Sequence, residues 1–341
     1  MSEEDSSIAH RGGDAVPGLG GTLAVAALGW MIARWLAANA AVAPDAVVCA
    51  LLLGLVIRSV WHPPASWDPG LGLASRQVLE VAIVLLGFST DLRVLMEGGV
   101  WLVAGVVGVT VFALGGGITL GRWLGLTRTH ALLVASGNAI CGNSAIAAVA
   151  TVVRAPAREA ASAIAYTAVL SIGVVLVLPV IGTALGLGDA QYGVLAGMTV
   201  YAVPQVLAAT YPVSHEAGEV GTLVKVIRVL CLLPWLTLLS MRERHTGRAP
   251  VAGGHLAASV LPPYLLVFIG LTMLRTFGAV PDGVLMPARL GSHALTTLAM
   301  AALGLSVAPA ALRAVGWRTA VAATGALVLL LAAALLVARS T

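Results

Sequence analysis

Lys225 and Arg228 stand three residues apart in the apolar run from Glu219 to Met241, so a helix there carries both cations on one face. A charge at mid-membrane costs ~2.5–3.5 kcal/mol on insertion scales, so such groups usually face a cavity and do work. Their chemistry would be to attract and hold an oxyanion, with arginine offering a planar fork. The alternative is a low position in the span, from which both side chains snorkel to lipid phosphates. A second constellation is Ser136-Gly137-Asn138-Ala139-Ile140-Cys141-Gly142-Asn143-Ser144-Ala145, in the middle of the charge-free run Ala131 to Val153. Gly, Asn and Ser are poor helix formers, and hydrocarbon tolerates irregular backbone only where protein or a water-filled cavity surrounds it. Residues 131–153 therefore read as a broken helix whose second half starts near Gly142-Asn143-Ser144, with free N–H groups and a positive dipole end at the break. Such an end binds anions. A kinked helix packed closely on a neighbour is the plainer reading.

A second break is expected in residues 192–211, where Thr199-Val200-Tyr201-Ala202-Val203-Pro204-Gln205 interrupts an apolar span. Proline suits the first turn of a helix and not its interior, so a half-helix starting at Pro204 is expected. Tyr201, Pro204 and Gln205 join Ser136, Asn138, Cys141, Gly142, Asn143, Ser144, Lys225 and Arg228 as candidate substrate-binding residues. Glu80 is the candidate for charge balance or proton coupling, and its plainer partner is Arg76, one helical turn earlier.

The elements that must position these groups are membrane helices. Of 341 residues, 59% are hydrophobic and 10% charged, with a mean hydropathy of +0.97. A soluble domain has about 25% charged residues, so the fold class is an all-α polytopic membrane protein. Hydropathy gives about eleven spans after a polar N-terminal tail at 1–18, within one transmembrane domain at 19–341. Of the 19 basic residues only Lys225 is lysine. Arginines such as Arg58, Arg76, Arg122 and Arg242 weight the loops on one side more than Arg93, Arg154 and Arg275 weight the other. That asymmetry puts the N-terminus in the cytoplasm, and the inner membrane is the expected location. Cys49, Cys141 and Cys231 lie apart in apolar segments and form neither a disulfide framework nor a metal cluster. Leu86-Gly87-Phe88-Ser89 and Leu303-Gly304-Leu305-Ser306 each precede a short basic loop, a faint echo of the kind inverted repeats leave.

The pieces Val84-Leu85-Leu86-Gly87-Phe88, Ile140-Cys141-Gly142-Asn143-Ser144-Ala145, Val203-Pro204-Gln205-Val206, Lys225-Val226-Ile227-Arg228-Val229 and Met300-Ala301-Ala302-Leu303-Gly304-Leu305 resemble the YeiH-like family, named for sulfate export. They occur in the family's order over roughly residues 20 to 338, and the Ile-Cys-Gly stretch is the most specific. The resemblance implies a fold similar to the bile acid, arsenite and riboflavin transporter superfamily, with inverted repeats and two broken, crossed helices. The chain departs from the family's pattern where Tyr201-Ala202 replaces an expected His-Glu pair, and where Glu80 and Ser89 replace expected arginines.

Secondary active transport of a small oxyanion such as sulfate, sulfite or an organosulfonate is the leading expectation, with export as its direction. A proton or sodium ion is the candidate coupling ion, and a homodimer the candidate assembly. A cation/proton antiporter of related fold is the alternative; it would call for acidic residues in the broken spans, and 131–153 and 192–211 hold none. A divergent member carrying another organic anion is a further reading. No Walker A loop, HExxH motif or nucleophile–base pair is present, so no enzymatic activity, cofactor, metal or nucleic-acid partner is expected.

Overall fold

The computed structural model describes residues 3–39, 45–90, 93, 99–245, 263–306 and 316–341. Fourteen helices lie among them, and no strand. The described residues form two compact units.

The first unit holds α1 (Glu3–Asn39), α2 (Ala46–Val60), the helical run α3 (Ala65–Gly87), most of α12 (Pro263–Thr276) and α13 (Asp282–Ser306). Helix α1 starts inside the residues read as a polar tail. The backbones of Gly18 in α1 and Gly70 in α3 approach so closely that a Cβ on either would collide with the other helix. Asp45 caps α2 by accepting from the Val47 N–H at 3.3 Å. Helices α2 and α13 meet through Gly54 and Gly304, and a Cβ on Gly54 would lie 2.7 Å from the Ala301 carbonyl oxygen. These two glycines sit at the centre of this unit's apolar core, with Ala50, Ala301, Ala302 and Leu305 around them.

The second unit holds α4 (Gly99–Trp123), α5 (Arg128–Ser136), α6 (Asn143–Val153), α7 (Ala157–Ala184), α8 (Asp189–Thr199), α9 (Val203–Thr210), α10 (His215–Leu230), α11 (Leu232–His245) and α14 (Trp317–Ser340). Exposed Trp101 and Trp123 lie at opposite ends of α4. Their separation along the helix, about 33 Å at 1.5 Å per residue, matches a hydrocarbon core of about 30 Å with tryptophan at each interface. The span expected at Glu219 to Met241 falls within one apolar run, His215–Glu243, jointed at Cys231 where α10 gives way to α11. Pro234 in the first turn of α11 has no N–H to offer the preceding turn, which loosens the joint.

Six described helical runs are long and apolar enough to cross a membrane: Ala15–Asn39, Ala65–Gly87, Gly99–Trp123, Ala157–Ala184, His215–Glu243 and Trp317–Ser340. Helix α2 is apolar but shorter, and the broken spans consist of half-length pieces. Of the spans that hydropathy gives, those over 256–274 and 290–308 have residues 256–262 and 307–308 outside the described residues.

Candidate functional site

Both expected breaks exist, and they meet. The first follows α5. Residues Gly137–Cys141 form one wide turn, closed by a 2.9 Å bond from the Gly142 N–H to the Gly137 carbonyl five residues back. Gly142 then adopts φ 68° and ψ −130°, a conformation open to glycine and strained for any other residue, and α6 starts beside it. The second break follows α8, where Val200 and Ala202 are extended before α9. Helix α9 starts at Val203, so Pro204 takes its second position and not its first. The Gln205 side chain caps this helix by accepting from the Ala202 N–H at 3.2 Å. Across the crossing, the Tyr201 hydroxyl donates to Asn138 Oδ1. A Cβ on Gly142 would stand 3.2 Å from that of Tyr201.

A broken helix leaves its last carbonyls without the N–H groups of a following turn. At this crossing they are the carbonyls of Asn138, Ala139 and Ile140 on one side and of Gly197 and Val200 on the other. Lys225 and Arg228 on α10 take all five. Lys225 Nζ donates to Ile140 at 2.5 Å and Val200 at 2.9 Å. Arg228 Nε donates to Ala139 at 3.0 Å and Nη2 to Asn138 at 2.9 Å, while Nη1 donates to Gly197 at 3.0 Å and Val200 at 3.3 Å. Neither side chain snorkels: Lys225 is 0% and Arg228 1% exposed. The helical spacing read from sequence put both cations on one face, and that face clamps the two breaks together.

The electrostatic consequence follows from the dipoles. Two half-helix C-termini, each near −0.5 charge, and two N-termini, each near +0.5, would cancel at a bare crossing. Two cations seated on the C-termini leave the crossing positive. The N-cap of α6 is Gly142, which has no side chain to offer it; the Cys141 thiol accepts from the Ala145 N–H, and Asn143 and Ser144 in the first turn are exposed. Gly142 gives a ligand close access to that backbone.

The remaining candidates divide by burial. Ser136, Asn138, Tyr201 and Gln205 are buried and bonded to protein. Ser136 Oγ accepts from Trp235 Nε1 at 3.0 Å, Asn138 Nδ2 donates to the Ala323 carbonyl at 3.2 Å, and Gln205 Nε2 donates to Ser171 Oγ at 2.9 Å. They hold the crossing in shape. Cys141 is half-buried beside it. Glu80 lies in the first unit and pairs with Arg76 at 3.6 Å, the plainer of its two readings. Ser171 and Trp235 escaped the sequence reading. Thr167 and Ser171, four residues apart in the charge-free stretch 160–187, are the signal that could have marked α7 as a polar-faced neighbour.

Comparison with known proteins bears directly on this architecture. The family model described as Conserved hypothetical protein 698 matches residues 17–323. The chain is 43% identical over 290 residues to the UPF0324 membrane protein blr3189 of Bradyrhizobium diazoefficiens, covering 84% of this chain and 82% of that one. The chain belongs to the UPF0324 family of membrane proteins. Its similarity extends to the UPF0324 membrane protein Atu0671 of Agrobacterium fabrum, 41% identical over 285 residues with 83% and 81% of the two chains covered. It extends further to the UPF0324 membrane protein TauZ of Paracoccus denitrificans, 33% identical over 325 residues and 92% of each chain. UPF0324 membership agrees with the YeiH-like resemblance read from the motifs.

Proposed function

We propose that this UPF0324 protein is a secondary active transporter of a small oxyanion, of the class of sulfate, sulfite or an organosulfonate, and that the anion binds where the two broken helices cross. One observation carries the reading: two buried cations sit on the C-termini of both half-helices, while α6 starts beside them at a glycine, with Asn143 and Ser144 exposed in its first turn. In this reading the ligand takes backbone N–H groups at Gly142-Asn143-Ser144, with the Asn143 and Ser144 side chains as further donors. Lys225 and Arg228 then act by charge through the carbonyls they hold, not by direct contact.

Inverted repeats, about eleven spans with the N-terminus in the cytoplasm, and export across the inner membrane complete the proposal. The cation/proton antiporter alternative has less support, because the groups gathered at the crossing are cations and dipole ends. Radiolabelled sulfate, sulfite and methanesulfonate, offered to proteoliposomes under an imposed pH gradient, give the test. At least one is expected to accumulate above protein-free vesicles. Accumulation of none of the three in active-orientation vesicles would remove the transport reading.

A further inference from the structure

Resting on the anion-site reading, we infer that Lys225 is the proton-carrying group of the transporter: it takes up a proton when the anion arrives and gives it up when the anion leaves. The geometry separates the two cations by what each can lose. Arg228 keeps its charge in proteins and has four of its five N–H groups on carbonyls. Lys225 donates to two carbonyls and, among the described residues, to no third acceptor. A neutral amine still carries two N–H bonds. Lys225 can therefore shed its third proton without releasing either Ile140 or Val200, and the clamp survives the change.

The surroundings supply the reason to shed it. The titratable and charged groups facing Lys225 are Arg228 on its own helix and Cys141 on the wide turn, with Tyr201 from the second break facing Arg228. Of the other elements packed on α10, α9 carries no ionisable residue and α4 only Arg122 in its last turn, while α8 carries Asp189 and Tyr192 in its first turn and α11 carries Arg242, Glu243, Arg244 and His245 at its far end. Two adjacent cations in a buried crossing repel each other, and among the described residues no carboxylate pairs with either to offset the charge. An arriving anion is that offset. Binding of the anion and binding of the proton then favour each other, and by linkage each raises the affinity for the other equally. The balance is one proton onto a lone pair of Nζ for each anion bound, with no covalent step. Proton and anion would thus move in the same direction through the crossing.

The test uses the full-length protein in detergent with sulfate, sulfite and methanesulfonate as probes, and reads two signals: thermal stabilisation by the anion, and proton uptake in weakly buffered solution with a pH dye. Wild-type protein is expected to take up close to one proton per anion bound, and its apparent affinity to fall about tenfold per pH unit on the alkaline side. Lys225→Arg keeps the charge and donors but cannot release the proton, so anion stabilisation should persist with no proton uptake and a flat pH profile. Lys225→Met is the second variant; if it folds, it should bind weakly at every pH, again with no proton uptake. Anion stabilisation in wild type without proton uptake overturns this inference and leaves the anion site intact. Proton uptake equal to wild type in Lys225→Arg moves the proton to another group and overturns it as well. Absence of stabilisation by all three probes overturns the anion site, and the inference with it.

Discussion

Arg228→Met is expected to give the largest loss of stability of any single substitution at the crossing. The change leaves the carbonyls of Asn138, Ala139 and Gly197 without their donor, in a place where water is scarce. Each orphaned buried carbonyl costs about 1–3 kcal/mol. Relief of the guanidinium's own desolvation offsets part of that, so a net loss of about 3–5 kcal/mol is expected, as for breaking a buried ionic contact by removing one partner. In a protein of this size that corresponds to a fall in apparent Tm on the order of 6–20 °C. Arg228→Lys should recover only part of the loss, because an ammonium has three N–H groups and no planar fork, where the guanidinium places four N–H groups on carbonyls of both breaks. Thermal scanning of purified protein by tryptophan fluorescence reads the shift. A wild-type Tm in Arg228→Met would show that the clamp contributes little to the fold.

Gly197→Val should be nearly as damaging, for a steric reason. A Cβ on Gly197 would lie 2.5 Å from the Gly221 carbonyl oxygen, and one on Gly193 would lie 2.8 Å from that of Ala217. Helices α8 and α10 touch backbone to backbone along this seam, and overpacking a close contact costs about 1–3 kcal/mol before any further rearrangement. Valine at 197 also pushes the Gly197 carbonyl away from Arg228, so the steric and hydrogen-bond losses combine. Gly173→Ala is the control, because a Cβ there meets nothing within 4 Å. It should be neutral or stabilise by about 0.5–1 kcal/mol, the ordinary gain of replacing a helical glycine. Equal Tm values for the two variants would contradict the close seam.

What the sequence disclosed and what it concealed follow from the range of the forces involved. The first break was legible because glycine, asparagine and serine cluster in a span with no charge, a local conflict that the chain must resolve with irregular backbone. The second was legible from Pro204, although the capping Gln205 moves the helix start to Val203. Helical spacing showed that Lys225 and Arg228 share a face. It could not show that the face meets five carbonyls from residues 25 to 90 positions away, since that depends on how α8, α5 and α10 pack. The same holds for Tyr201 with Asn138 and for Trp235 with Ser136, pairs joined only by tertiary structure. Glu80 shows the converse. Its partner, Arg76, is four residues away, and the pair was visible in the sequence as the plainer alternative.

The central claim is that an anion binds at the N-terminus of α6, and Ser144→Asp tests it most directly. Ser144 is exposed in the first turn of α6, where a carboxylate suits the helix dipole and should raise stability by about 0.3–1 kcal/mol. The same carboxylate occupies the field that the anion needs and repels it. Equilibrium binding of radiolabelled sulfate, sulfite and methanesulfonate should therefore fall at least tenfold in Ser144→Asp relative to wild type, while its Tm stays the same or rises. Wild-type anion affinity in a stable Ser144→Asp protein would contradict the account and place the anion elsewhere.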